Sequence, residues 1–156
     1  MSRSIDRVQE AAARAGLPIE IRRMGESTRT AEEAARQCGC DVSQIVKSLV
    51  FQGGQSGRLY LFLVSGSKQL DVDKASALAG EKLVRADPRR VREETVFAIC
   101  GVAPIGHLDG MKCFADETLL NQPVVWAAAG AHDAVFSAEP RPLFAAAEAV
   151  VADVTT

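Results

Sequence analysis

Two strand-length apolar runs, residues 45–51 and 58–65, stand on either side of Gly53-Gly54-Gln55-Ser56-Gly57. A glycine-rich interval of about five residues between such runs is a hairpin signal. It constrains the chain strongly, because a hairpin makes a two-faced sheet whose apolar faces need cover from elsewhere. Helical patterns that could supply the cover lie on both sides. Ile5, Val8, Ala12 and Ala15 recur at helical spacing until Gly16 and Pro18 end the segment. Thr30 with Glu33 has the pattern of a capping box for a second helix that stops near Gly39, and Asp41 with Gln44 repeats it just before residues 45–51. Asp71 or Asp73 caps a third helix ending at Gly80. Asp87-Pro88 opens a fourth reaching about Thr95, and residues 142–150 form a closing helix.

Further strands are expected at residues 18–24, 82–86, 111–115, 124–128, 134–138 and 151–154, with a helical turn at 116–118. Strand and helix signals interleave, yet glycine-rich turns join several strands directly. The pattern predicts an α+β class: a single domain over residues 1–156, with a mixed, twisted, barrel-like β-sheet flanked by helices.

The charge balance narrows the function classes. Eighteen Lys+Arg stand against 20 Asp+Glu, a net charge of −2. Phosphate neutralisation supplies most of the affinity for a long nucleic-acid backbone, so a DNA or RNA clamp is not expected; brief contact with one RNA end remains compatible. No apolar run approaches the roughly 18–20 residues that span a bilayer, and the N-terminus lacks the apolar stretch of a signal peptide. A cytoplasmic protein without membrane partners is expected. Its four cysteines, Cys38, Cys40, Cys100 and Cys113, form no Cys-x-x-Cys pair, and His107 and His132 are the two histidines. No metal-ligand set follows, no cofactor is implied, and the cysteines read as free thiols.

Two features could carry chemistry. Alternation along residues 45–51 puts Lys47 on one face with Ile45, Leu49 and Phe51. An ammonium among large apolar neighbours is costly. Either the lysine stem snorkels to solvent from the start of the strand, or the cation stands in a pocket; spacing leaves both open. The second feature is Gly101-Val102-Ala103-Pro104-Ile105-Gly106-His107. Two glycines and a proline shape a loop whose backbone N–H groups can converge on an oxyanion, although an ordinary tight loop has the same composition.

Weaker candidates remain. Arg85, Arg89, Arg90 and Arg92 cluster around one short helix, as a solvated face or a phosphate contact. Trp126 shares its strand face with Val124 and Ala128 and reads as core. His132 and Asp133 occupy a turn with no evident chemistry.

In this order and at this separation, Lys47-Ser48-Leu49-Val50-Phe51, the loop 101–107, Asp116-Glu117-Thr118-Leu119-Leu120 and Val125-Trp126-Ala127-Ala128-Ala129-Gly130 resemble the bacterial YbaK and prolyl-tRNA synthetase editing-domain family. The similarity runs from the first helix to Val154. It implies hydrolysis, in trans, of an amino acid esterified to the 3′-terminal adenosine of tRNA, without metal or covalent nucleophile. Water attacks the ester, oriented by backbone groups and the ribose hydroxyl.

Carried onto this chain, the resemblance makes Lys47 the substrate-positioning cation and Gly101 through Gly106 the carbonyl-binding loop, with Val102, Ala103, Pro104 and Ile105 as an apolar lining. His107 closes the loop, as a proton relay or as a structural hydrogen-bonding group. Asp116 either caps its turn or grips the substrate amino group. Met24 and Val135 stand where the cysteinyl-tRNA deacylases have a tyrosine and an aspartate, which weakens cysteine as the substrate. The implied partners are the acceptor end of a mischarged tRNA, tRNA-Pro foremost, and prolyl-tRNA synthetase; the oligomeric state is left unspecified. A small amino acid is expected, with alanine, serine, threonine or 2-aminobutyrate ahead of cysteine. The rivals are a non-catalytic module that captures an aminoacyl or nucleotide end, and a thiol enzyme using Cys100 or Cys113 with His107.

Overall fold

The computed structural model describes residues 3–28, 30–98, 102–107 and 111–156. Helix α1 (Arg3–Arg14) turns Val8 and Ala12 inward. Strand β1 (Arg22–Arg23) leads to α2 (Ala31–Cys38), whose N-cap Thr30 accepts a hydrogen bond from the Glu33 N–H. The hairpin is β2 (Val46–Gly53) and β3 (Leu59–Ser65), in antiparallel register from Val46 opposite Ser65 to Gln52 opposite Leu59. There follow α3 (Val72–Ala79), β4 (Leu83–Arg85), α4 (Pro88–Thr95), β5 (Lys112–Asp116), β6 (Val125–Ala128), β7 (Ala134–Ala138), α5 (Pro140–Ala146) and β8 (Val150–Ala152).

The mixed sheet is present and divided in two. Five strands run in the order β4-β2-β3-β5-β8, with β3–β5 and β5–β8 parallel, and three run β1-β7-β6. A single parallel bridge, Ile45 to Trp126, joins the two sheets. One face of the large sheet buries Val46, Val50, Leu61, Leu63, Cys113 and Ala115 against α1 and the small sheet. The other buries Tyr60, Phe62, Val64 and Phe114 under α3, where the rings of Phe62 and Phe114 stack at 5.4 Å.

The Asp41 start gives the expected single turn, a 3-10 turn over Val42–Gln44 with both capping-box bonds made. Two elements depart further from the sequence expectation. The strand at 18–24 shrinks to two residues, because only Arg22 and Arg23 pair with β7. The last helix begins at Pro140 rather than residue 142 and ends at Ala146, ahead of Glu148, which takes a φ of 53°.

The register of β2 leaves part of one edge open. The Ile45 carbonyl accepts from Gly66 N and Gly53 N donates to Arg58 O, so odd-numbered residues turn their backbone groups toward β3. Gly54 N donates to Lys82 O, so even-numbered residues face the opposite edge. Strand β4 covers that edge only from Phe51 to Gly53, and β6 meets it only at Ile45. Among the described residues no strand pairs with it between those points.

Candidate active site

A cavity of about 400 Å³ opens along this uncovered edge. Lys47, Ser48 and Leu49 form one side, Thr28, Thr30 and α2 residues Ala31 and Ala34 another. Trp126, Ala127 and Ala128 of β6 close it with Val102 and Val135. The strand's alternation thus brings Lys47 to a pocket, half-buried, where its Nζ donates to the Lys68 carbonyl at 2.5 Å. Burial holds the ammonium below the ordinary lysine range, partly offset by the carboxylate of Glu32. A cation held by one backbone acceptor at an apolar pocket keeps N–H donors for a substrate oxygen.

The glycine-proline loop is divided. Gly101 and Cys100 lie outside the described residues. Val102, 2% exposed, lines the Lys47 pocket. Ala103 is fully buried. Pro104, Ile105, Gly106 and His107 line a separate cleft beside Ala11 of α1 and the end of α5. Helix α1 clamps this part: Arg7 Nε donates to the Gly106 carbonyl at 2.8 Å, and its terminal nitrogen to the His107 carbonyl at 3.0 Å. Gly106 has φ +91°, and a Cβ there would lie 3.0 Å from the Arg7 carbonyl oxygen, so glycine is required twice over. Gly130 repeats the device: φ is +97°, a Cβ would stand 2.8 Å from the Ser4 carbonyl oxygen, and Ser4 Oγ donates to the Gly130 carbonyl.

His107 is hydrogen-bonded within its own loop. Its Nε2 stands 2.7 Å from the Ala103 carbonyl. A carbonyl oxygen only accepts, so that nitrogen carries the proton. The ring meets Phe97 edge-on at 5.8 Å. Burial above all, then the Arg7 charge, lowers its pKa; the bond to Ala103 opposes them. Asp116, fully buried, is likewise occupied. One carboxylate oxygen accepts from Val154 N and Thr155 Oγ1, the other from Thr118 N and Thr118 Oγ1. It ties β5, the turn Glu117–Asn121 and the C-terminal segment together, away from the cavity. Met24 donates its N–H to the Asp133 carbonyl and does not line the cavity. Cys113 sits buried in β5 with its thiol pushed up to about 12, the opposite of an activated nucleophile. Among the described residues no group of three or more His, Cys, Asp or Glu is placed to hold a metal.

Sequence reasoning missed Ser48, Thr28, Thr30 and Trp126 as cavity residues. Trp126 is half-buried, packs on the Ala34, Ala35 and Ile45 cluster, and carries the Arg22 guanidinium 5.4 Å above its ring. Its signal was Ala128 on the same strand face: a large and a small residue together leave room rather than fill it. Ser48 had a plainer signal, a hydroxyl in an otherwise apolar strand beside the anomalous lysine.

The model of the aminoacyl-tRNA editing domain matches residues 25–145. The chain belongs to the aminoacyl-tRNA editing domain family. It is 30% identical over 117 residues to the uncharacterised protein YwhH of Bacillus subtilis, covering 75% of this chain and 74% of that one. It is 33% identical over 92 residues to the proline–tRNA ligase of Thermosipho melanesiensis, 58% of this chain but only 16% of the ligase. A solved structure described as a proposed trans-editing enzyme for prolyl-tRNA synthetase matches with TM-score 0.92 and 48% identity, covering 100% of this chain and 99% of the other. The structure of a protein described only as hypothetical follows at TM-score 0.88 and 32% identity, covering 96% and 99%. In this editing-domain member no helix among the described residues is long and apolar enough to cross a membrane.

Proposed function

We propose that this editing domain hydrolyses, in trans and in the cytoplasm, the ester of a small non-cognate amino acid on tRNA, tRNA-Pro foremost. The observation that carries the reading is Lys47: a cation held at the side of a small apolar cavity, on a strand edge with unpaired backbone groups. Such a cavity takes a short side chain, while the cation and the edge amides draw the ester oxygens. A short side chain is what a synthetase pocket cannot strongly reject, since one methylene is worth about 1–3 kcal/mol there. The relatives bear on the tRNA: one solved neighbour is described as acting for prolyl-tRNA synthetase, and one curated relative is itself a proline–tRNA ligase.

Beyond the cavity the open edge continues as a shallow groove along Ser48 to Phe51, ending at Arg85 and Ala86. The groove offers the 3′ end of tRNA an extended path, with exposed Arg85 and Arg89 near a phosphate. Recognition then rests on the acceptor end or on a synthetase partner, in keeping with a net charge of −2. Water is the nucleophile, and the Val102 segment and the substrate's ribose hydroxyl orient it; no residue of the cavity is a covalent nucleophile. Incubation with tRNA-Pro charged with alanine, serine, threonine, 2-aminobutyrate, cysteine or proline tests the reading. Ester loss should be enzymatic for the small non-cognate esters. Binding without turnover, or fastest hydrolysis of prolyl-tRNA, would reject it.

A further inference from the structure

Ser48 Oγ is, among the described residues, the one buried side-chain oxygen with no hydrogen-bond partner. Three other polar side chains of the cavity each have a partner. Thr28 Oγ1 donates to the His132 carbonyl at 2.8 Å, Thr30 Oγ1 accepts from Glu33 N, and Lys47 Nζ donates to Lys68 O. A buried hydroxyl left without a partner is rare in folded proteins, and a bound ligand is one of the things that account for it. Ser48 is half-buried as a residue although its oxygen is covered, and it lines both the cavity and the groove. The residue thus borders the ligand space, and a change of χ1 rotamer from the covered position would carry the hydroxyl into it. The same cavity is lined by Val46, Val102, Ala127 and Val135, whose side chains carry no hydrogen-bonding group.

We propose that Ser48 reads the side chain of the esterified amino acid: seryl and threonyl esters are hydrolysed faster than esters of apolar amino acids of the same size. The inference rests on the editing reading above and narrows its substrate class. In its covered position the Ser48 oxygen has no partner among the described residues. Turned toward a substrate hydroxyl it gains a hydrogen bond, whereas a methyl in the same place offers it none. The cavity's apolar walls do not distinguish hydroxyl from methyl strongly, so the serine supplies the difference.

The decisive pair is seryl- and 2-aminobutyryl-tRNA-Pro, which differ by hydroxyl against methyl at nearly equal volume. With the intact chain, kcat/KM for the seryl ester should exceed that for the 2-aminobutyryl ester by about tenfold, the magnitude of one neutral hydrogen bond. Ser48→Ala should bring the ratio to about one, and its melting temperature should not fall, because the hydroxyl it removes has no partner. Ser48→Cys, similar in volume with a weaker donor, should give an intermediate ratio and serves as the second variant should alanine fail to fold. A wild-type ratio of one or less overturns the proposal, as does a ratio that Ser48→Ala leaves unchanged whatever happens to the absolute rates. Turnover of neither ester by the intact chain overturns the editing reading and this inference together.

Discussion

The cavity beside Lys47 and the cleft that holds Pro104 to His107 lie on the same chain within one family motif, and both set polar groups among apolar walls. They differ in what is left over. In the cleft the polar groups are used: Arg7 takes two carbonyls, His107 takes a third, and Gly106 fits under α1 with no room for a methyl. In the cavity they are in surplus among the described residues: Ser48 Oγ has no partner, Lys47 has one acceptor for its ammonium, and the even-numbered edge of β2 pairs with no strand between Ile45 and Phe51. A satisfied network rigidifies, and an unsatisfied one marks where a ligand is to complete it. Under the proposed function, then, the loop's second half is scaffold and the edge of β2 is the site.

The sharpest way to break this comparison is Lys47→Ala. Loss of a cation that positions charge in a catalytic pocket should lower deacylation by about 10²-fold or more, with the circular dichroism unchanged. Near-normal turnover by a folded variant would move the site away from Lys47. Next comes Gly106→Ala, which tests the scaffold half. A φ of +91° and a Cβ 3.0 Å from the Arg7 carbonyl oxygen should destabilise the fold by about 1–3 kcal/mol. That is a drop of several degrees in melting temperature for a domain of this size. An unshifted melt would mean that α1 gives way easily and clamps nothing.

Arg7→Ala should act more mildly, because it frees two carbonyls that water can partly reach. A loss of about tenfold in kcat, with a smaller change in KM, is expected if the clamp sets the position of the Val102 segment. Arg7→Lys should recover less than half of the effect, since an ammonium cannot reproduce the guanidinium fork across two successive carbonyls. Equal losses in stability and activity, with full recovery by lysine, would reduce Arg7 to a surface cation.

Much of this fold was legible because its signals are local. Asp87-Pro88 marks a helix start wherever it occurs, and α4 begins at Pro88 with Asp87 accepting from Arg89 N. The hairpin of β2 and β3 followed from alternation and glycine. What escaped were properties of pairing. Nothing in residues 18–24 tells that only two of them will find a partner, because the partner is β7, more than a hundred residues away. The site divided along the same line. Lys47 stood out because charge in an apolar strand is visible in one dimension, whereas the surplus at Ser48 depends on β4 stopping at its Phe51 pairing and β6 touching only Ile45. Asp116 and His107 each left a structural and a chemical reading open. The turn cap on Thr118 was legible from sequence, whereas the bonds of Asp116 with Val154 and Thr155 depend on the folded chain, and so does the bond of His107 with Ala103.

The smallest expected effect is a pH dependence that belongs to the scaffold and not to the site. Burial lowers the His107 pKa in the folded protein, and the neighbouring Arg7 charge lowers it further. In the unfolded chain the imidazole titrates near its ordinary value, about 6.5. Above that pH both states are neutral and the histidine contributes its full stability. As pH falls below about 6.5 the unfolded chain takes up the proton first, so the folded state loses ground until the pH passes the lower native value. The carboxylates with lowered values, Asp41 held by Ser43, Glu81 held by Ser56 at about 2, Asp133 held by Arg23 and Asp153 held by Lys74, act in a more acidic window. Urea midpoints at pH 7.5 and 5.5 should therefore show a loss for the intact chain of at most about 1.4 kcal/mol per unit of native shift. His107→Asn should start less stable, having given up the bond to Ala103, and should lose less on acidification. If the two proteins respond equally to pH, His107 is not the group that titrates, and its ring must be reached by solvent in a way the Ala103 bond and the Phe97 contact do not allow.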